Sequence, residues 1–285
     1  MLWAVADYGR GVASSQGRGC SATAKAMDSL QMETLREILG VSKFSVKAGV
    51  RGELVEIPDV WRERKRQLLV ARQMLASPLG SLMQRIAAHA NSSTPKLGTF
   101  RLVEDLLARC QGAPRKLTDF RSKQEIKAWI HSQASDEWRA RIATSTRLAH
   151  TYPSTQSFSL RGYLRETYPG RQILTRLRID DLDLGAASLR GLTRPHANCE
   201  LCGEEPETRE HFALRCSSLR GAREANSQAM DLVKGLNTNL AFEVILLARP
   251  GWAADNIGRA KMVGRLLHAL WALRTELLEL RPSLD

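Results

Sequence analysis

A mostly α-helical fold is what this sequence predicts, and three observations carry the prediction. Aromatic residues make up only 6% of the chain, and long runs of Val, Ile and Thr, the residues that favour strands, are rare. Apolar residues instead recur at three- and four-residue intervals in one segment after another. Hydrophobic residues still reach 43% of the 285 positions, enough for one large core or two smaller ones.

The elements follow in order. Gly9–Ser21 is rich in Gly and Ser and reads as a loop, so 1–21 is taken as a flexible N-terminal segment. It lacks the Gly-Lys-Ser/Thr ending of a phosphate-cradling loop. From Ala24 to Leu39, Met27, Leu30, Leu35 and Ile38 fall at helical spacing, and Gly40 supplies a C-terminal stop. A short helix follows Ser45. Pro58 suits a first helical position, and Val60–Leu75 continues from it. Another short helix is expected from Pro78 to Ala90. The polar break Asn91–Pro95 separates a helical region, 22–90, from a helical connector, 91–170. The connector holds helices over Phe100–Cys110 and Ser122–Ile142, a break at Pro153–Ser157, and a short basic helix at Ser159–Tyr168.

Region 171–235 opens with a second short basic helix, Arg171–Arg178, then a cysteine cluster, then a helix over Leu219–Lys234. Segment 236–285 follows. After Pro250-Gly251 it holds a long helix from Asn256 to Leu280, whose Met262, Val263, Leu266, Leu270, Leu273 and Leu277 form a stripe that needs a partner. No internal repeat or low-complexity segment stands out.

Lys and Arg number 42 against 30 Asp and Glu, a formal charge of +12 with a pI near 9.9. Such a chain attracts polyanions, and RNA or DNA is the expected partner. An anionic membrane is the competitor. No helix pairs a Lys/Arg face with a Trp/Phe/Leu face, however, and no stretch is apolar enough to span a bilayer. Met1–Ala6 is too short for a signal-peptide core. An intracellular protein, nuclear or cytoplasmic, with no membrane partner is therefore expected. Two basic runs are candidates for phosphate contact. Arg62, Arg64, Lys65 and Arg66 share one helix. Arg161, Arg165, Arg176 and Arg178 interleave with Tyr163 and Tyr168, which could stack on bases. A solvated helix face is the competing reading of both.

Five cysteines in a reducing compartment point to metal or catalysis before disulfides. Three of them lie within eighteen positions, around one histidine: Cys199-Glu-Leu-Cys202-Gly, then His211, then Cys216. The pattern is C-x2-C-x8-H-x4-C. Zn²⁺ prefers four such ligands in a tetrahedron, and four protein ligands leave no open position, so the zinc would be structural. Gly203 permits the left-handed turn that follows such a pair. His211 and Cys216 are a little over one helical turn apart, so both face one ion if their helix is short or loosens. His196 is a competing ligand. The full fold prediction is thus a helical domain with a small zinc knuckle of the Cys-Cys-His-Cys kind near its C-terminal third. Glu204, Glu205, Glu207 and Glu210 oppose only Arg209 in the knuckle loop, while Arg194, Arg215 and Arg220 flank it. The knuckle is expected to staple helices rather than bind phosphate. Cys20 and Cys110 read as inert buried thiols.

The run Leu174-Thr-Arg-Leu-Arg178, then Cys199-x2-Cys202-Gly, Glu207-Thr-x2-His211-Phe and Cys216, resembles the C-terminal part of non-LTR retrotransposon reverse transcriptases. In that family a zinc-binding segment follows the polymerase. Leu30-Gln-x-x-x-Leu35-Arg-x-Ile-Leu-Gly40-Val resembles the helix after the polymerase core. Gly52-Glu-Leu and the Arg-rich helix after Pro58 fit the same thumb region, and Tyr8-Gly9 fits the palm–thumb junction. The resemblance spans about Leu30 to Leu280. It implies a thumb-like region at 22–90, a parent activity of RNA-directed DNA polymerase, and the missing polymerase region of the same element as a partner. The x8 spacing is longer than in retroviral nucleocapsid knuckles.

No catalytic site is expected in this chain. A polymerase palm needs carboxylates on adjacent strands to hold two metal ions. Asp180-Asp181 follows an Arg-rich helical run, with no hairpin signal, and reads as a helix-end pair. Gly-x-Ser-x-Gly and His-Glu-x-x-His are absent. Trp61, Trp129, Trp138 and Trp271 read as core, and Trp252 precedes a helix. The chain therefore reads as a nucleic-acid-binding tail of a larger element protein. The alternative is a zinc-stapled helical scaffold that binds another protein through the stripe of its last helix.

Overall fold

The computed structural model describes residues 22–92, 98–110, 112–114, 116–145, 147–148, 151–152, 162–184, 198–248 and 257–280. The loop Gly9–Ser21, Tyr8, Cys20, the break Pro153–Ser157, Arg161, Arg194, His196, Pro250-Gly251 and Trp252 lie outside the described residues. Helices dominate the rest, and among the described residues no β-strand forms. They are α1 (Ala22–Leu39), α2 (Lys47–Leu54), α3 (Asp59–Leu75), α4 (Leu82–Ser92), α5 (Gly98–Arg109), α6 (Lys123–Ala143), α7 (Arg171–Arg178), α8 (Arg220–Ala225), α9 (Ser227–Asp231), α10 (Thr238–Ile245) and α11 (Ile257–Glu279).

Local chemistry sets the boundaries. Gly40, at φ 64°, ends α1, and Pro58 stands immediately before α3. The helix expected from Pro78 begins later, at Leu82. Pro78-Leu79-Gly80 makes a turn with Gly80 at φ 80°, and the Ser81 hydroxyl then accepts from the Gln84 N–H at 3.2 Å. The helix expected over Leu219–Lys234 is two short ones. Asn226 sits between them outside helical dihedrals, and its amide donates to the Ala222 carbonyl at 2.8 Å, the local competition that Asn offers to a helix. In place of a helix over Ser159–Tyr168, the described part shows one 3-10 turn, Gly162–Leu164. Helix α10 was not anticipated. Its eight residues are too few for a helical period to show, although Asn237 caps it by accepting from the Leu240 N–H at 3.0 Å.

The chain divides into two compact units: Met1–Gln31 with Ile57–Glu137, and Met32–Glu56 with Trp138–Asp285. The division cuts across the five linear segments, because Met32–Glu56 belongs with the C-terminal half. In the first unit α3, α4 and α5 pack on one another. Their core holds Trp61 and Leu68, Ala87, Phe100 and Val103, closed by Leu117, Phe120, Ile126 and Ile130.

In the second unit α11 is the central strut, packed on α7, α8 and α9. Its apolar stripe has found its partner within the unit. Val263, Leu266 and Leu270 are fully buried, and Met262, Leu273 and Leu277 pack against the same core. At about 2 kcal/mol for each fully buried side chain, this stripe outweighs any single polar contact nearby. A close approach locks α11 to the turn before α7. Gly170 has φ 79°, and a Cβ there would stand 1.8 Å from the Gly264 carbonyl oxygen.

Candidate metal centre and basic surfaces

The four predicted ligands converge. Cys199, Cys202, His211 and Cys216 bring three sulfurs and a ring nitrogen within 4.8 Å of one another. Cys199 Sγ and Cys216 Sγ are 3.9 Å apart, and Cys202 Sγ lies 3.4 Å from His211 Nε2. A tetrahedral zinc with ordinary bond lengths would need S···S edges of about 3.8 Å and S···N edges of about 3.5 Å. The group could therefore hold a metal ion.

Each ligand has a local reason for its place. Asn198 and Pro206 form an isolated antiparallel bridge that closes the loop. Within it the Cys199 N–H donates to the Glu205 carbonyl at 2.7 Å, and the Gly203 N–H to the Cys199 carbonyl at 2.8 Å. Gly203 has φ 73°, the expected left-handed turn. Thr208 then starts a short helix, its hydroxyl accepting from the His211 N–H at 3.1 Å. His211–Arg215 is a π-helical turn, and the Cys216 N–H donates to the His211 carbonyl at 2.8 Å. The wider π turn returns the fifth residue to the same face, so it is the loosening that the His211–Cys216 spacing required.

Cys199, His211 and Cys216 are buried, and Cys202 is half-buried. Without a cation such packing is unfavourable for thiolates. Burial first, and then the charge of Cys199, push the Cys216 thiol up to about 12. Burial likewise raises Cys199. Cys202 goes the other way: burial opposes ionisation, but the Glu204 N–H and the neighbouring thiols outweigh it. A divalent cation would remove this mutual repulsion.

Partners of the ligands escaped the sequence reading, which took the knuckle glutamates only as local negative charge. Glu205 Oε1 stands 3.1 Å from His211 Nδ1, off the N–H direction. A carboxylate there favours the proton on Nδ1 and leaves Nε2 to face the sulfurs. Glu205 also pairs with Arg215 at 2.8 Å. Glu207 is buried and accepts two bonds from Arg274 of α11, at 2.6 and 2.9 Å. Arg223 donates to the Cys216 carbonyl. The knuckle is thus fastened to α8 and α11, in keeping with a staple. The carboxylate-beside-histidine habit of metal sites was the one signal that could have flagged Glu205.

The basic candidates are dispersed. Arg62, Arg64, Lys65 and Arg66 are all half-buried on α3, and the Arg64 guanidinium lies 4.3 Å over the Trp61 ring. Arg165 is exposed after the 3-10 turn. Arg176 is half-buried and donates to the Asp181 carbonyl at 3.1 Å. Arg178 requires a correction. It is wholly buried and donates to Glu53 at 2.9 Å and to the Leu246 carbonyl, so no external phosphate reaches it. Tyr163 and Tyr168 are core residues, not stacking platforms. The first group lies in one unit and the second in the other.

A feature of the charge order adds to the first group. From Arg64 to Val103 the chain has seven Lys and Arg and no Asp or Glu. Most of that stretch is the α3–α5 assembly. Asp180 and Asp181 are a helix-end pair, as expected. Asp180 pairs with Arg147 at 2.5 Å and Arg209 at 3.0 Å, and Asp181 accepts from the Ser42 N–H at 2.7 Å.

Fold and site together define a helical protein with a three-cysteine, one-histidine cluster able to hold a metal ion. No family model, no curated protein and no solved structure matches this chain. Among the described residues no helix is long and apolar enough to cross a membrane.

Proposed function

We propose that the chain is a nucleic-acid-binding module whose second unit is held by one structural zinc ion on Cys199, Cys202, His211 and Cys216. The donor set favours zinc: three thiolates and one imidazole at tetrahedral spacing suit Zn²⁺ better than the oxygen-seeking divalent ions. All four positions belong to the protein, so the zinc would shape the fold and bind no substrate. The observation that carries the nucleic-acid reading is the carboxylate-free basic stretch from Arg64 to Val103, on a chain of net charge +12. A stretch of chain this rich in cations, with no Asp or Glu of its own, is suited to phosphate.

The resemblance to the tail of non-LTR retrotransposon reverse transcriptases gives this reading a context, the holding of template RNA or target DNA beside a polymerase. Asp180 and Asp181 are engaged in structural contacts, so the proposal assigns this chain no polymerase chemistry. The rival reading, a protein-binding scaffold that uses the α11 stripe, loses its feature, because that stripe is buried within its own unit.

Metal analysis of the purified chain beside Cys199→Ser and His211→Ala tests the zinc. About one zinc per chain, lost in both variants, is the expected result. Binding to single-stranded RNA and DNA across a salt series tests the partner. Affinity should fall steeply with salt, and Arg64→Ala with Lys65→Ala should lower the slope by about one per phosphate contact removed. Affinity indifferent to salt would reject the nucleic-acid reading.

A further inference from the structure

Three buried arginines of the second unit each face a carboxylate. Arg178 meets Glu53 at 2.9 Å, Arg209 meets Asp180 at 3.0 Å, and Arg274 meets Glu207 at 2.6 Å. Arg223 of α8 is different. It is 8% exposed, and among the described residues no carboxylate forms an ion pair with it. One terminal nitrogen, Nη2, donates to the Cys216 carbonyl, while the other, Nη1, is buried with no partner among the described residues. An arginine stays protonated even where burial disfavours its charge, so this cation calls for an anion close by.

The metal-loaded cluster would supply one. Three thiolates outweigh a divalent cation by a single negative charge, and a neutral His211 adds none. The carboxylates around the cluster are already matched, Glu205 by Arg215 at 2.8 Å and Glu207 by Arg274. The charge left over is that of the sulfurs themselves. Burial pushes the Arg223 pKa down, and the charge that most opposes this is that of Cys216, ahead of the like charge of Arg220 and of the exposed Glu224. We propose that Arg223 is the counter-charge of the loaded cluster: its guanidinium offsets the excess negative charge of the three metal-bound thiolates and so sets how tightly the ion is held. Fastening α8 to the Cys216 carbonyl needs only a neutral donor, whereas burying a full charge costs more than a neutral group would. This inference rests on the reading of Cys199, Cys202, His211 and Cys216 as metal ligands, and it adds the residue that balances them.

The test loads the full chain with Zn²⁺ or Co²⁺ and compares two variants. Arg223→Gln keeps an N–H donor for the Cys216 carbonyl and loses the charge; Arg223→Lys keeps the charge. Competition with a chromogenic chelator should show Zn²⁺ affinity about 10- to 100-fold lower in Arg223→Gln, with most of the loss recovered in Arg223→Lys. The Co²⁺ form gives a readout that a purely structural role would not move. A positive charge beside the sulfurs lowers the energy of their electrons. Its removal should therefore shift the sulfur-to-cobalt charge-transfer absorption of Arg223→Gln to longer wavelength, while Arg223→Lys stays near wild type. At saturating Co²⁺ only loaded chains contribute to the band, so weaker folding of a variant does not enter. Equal Zn²⁺ affinity in wild type and Arg223→Gln overturns the proposal. So does an unmoved charge-transfer band in Arg223→Gln, or an Arg223→Lys chain that holds Zn²⁺ no better than Arg223→Gln. In each of these cases Zn²⁺ uptake by the wild type leaves the metal reading standing, whereas no uptake by the wild type removes both.

Discussion

Glu53 is wholly buried and receives three donors: Arg178 Nε at 2.9 Å, the Tyr163 hydroxyl at 2.6 Å, and the Tyr152 hydroxyl. Burial alone would lower the Arg178 pKa, but the Glu53 charge outweighs it and keeps the guanidinium protonated. Replacing one member leaves the other charged and unpaired, which costs about 3–5 kcal/mol. Glu53→Ala should therefore lower urea-unfolding stability by that amount, whereas the Glu53→Leu, Arg178→Met pair should recover most of it. A single substitution without effect would mean that the pair is solvated in the folded chain. The same reasoning applies to Arg274, whose loss strands the buried carboxylate of Glu207 beside the candidate metal site. Arg274→Ala should weaken metal retention without removing a ligand, read by competition with a chromogenic chelator. At Cys216 the folded-state pKa lies above that of an ordinary thiol. In the metal-free chain that shift favours the fold at pH below the ordinary thiol value, and the gain is lost as pH rises toward about 12. Metal uptake reverses the preference, since the thiols must release protons. Metal affinity should therefore fall by about ten-fold or more for each pH unit of acidification; an affinity flat in pH would exclude thiolate ligation.

At the scale of elements, the π turn His211–Arg215 is what allows a five-residue separation to present two ligands on one side. Deleting Ala213 restores an ordinary turn and rotates Cys216 by about 100°. Metal content should then drop toward zero, more completely than with Ala213→Gly, which keeps the count. The junction of Gly170 and Gly264 admits no side chain. Gly170→Ala should cost about 1–3 kcal/mol for the overpacking and about 1 kcal/mol more for the left-handed backbone, read as a lower midpoint in urea. Elements of this kind differ in how far the chain announces them. The ends of α1, α3 and α7 were legible because Gly40, Pro58 and the Arg171–Arg178 pattern act within a few residues. The cluster of Cys199, Cys202, His211 and Cys216 was legible because metal chemistry restricts residue type and spacing together. Helix α10 was hidden because eight residues, with Thr238 and Asn239 exposed at its start, are too few for a helical period to show. Arg178 was misjudged because a cation's burial depends on a carboxylate 125 positions away, and local sequence carries no record of that pairing. Met32–Glu56 joins the C-terminal unit through such distant contacts, for example Gln172 donating to the Gly40 carbonyl at 3.0 Å.

For the whole molecule, the two units depend on different physics. The first rests on an apolar core of α3 to α6 and, among the described residues, holds none of the four clustered side chains. The second unit places the knuckle within its main core, where Cys199 and Cys216 share a cluster with Phe212, Leu219 and the stripe of α11. Metal removal should then act on one unit and spare the other. Structural zinc contributes roughly 10–16 kcal/mol of apparent binding energy in finger peptides, which exceeds or matches the whole stability of most domains. Hydrogen exchange read by mass spectrometry on the full chain resolves the units segment by segment. With a strong chelator, amides of α7, α8, α10 and α11 should lose protection, while those of α3, α5 and the first half of α6 keep theirs. The α2 segment is the discriminating element, because it lies near the N-terminus yet belongs with the knuckle's unit. If α2 loosens together with α11, the interleaved division is the cooperative one. If it holds with α3 instead, cooperativity follows the linear order of the chain and the metal stabilises only its own neighbourhood.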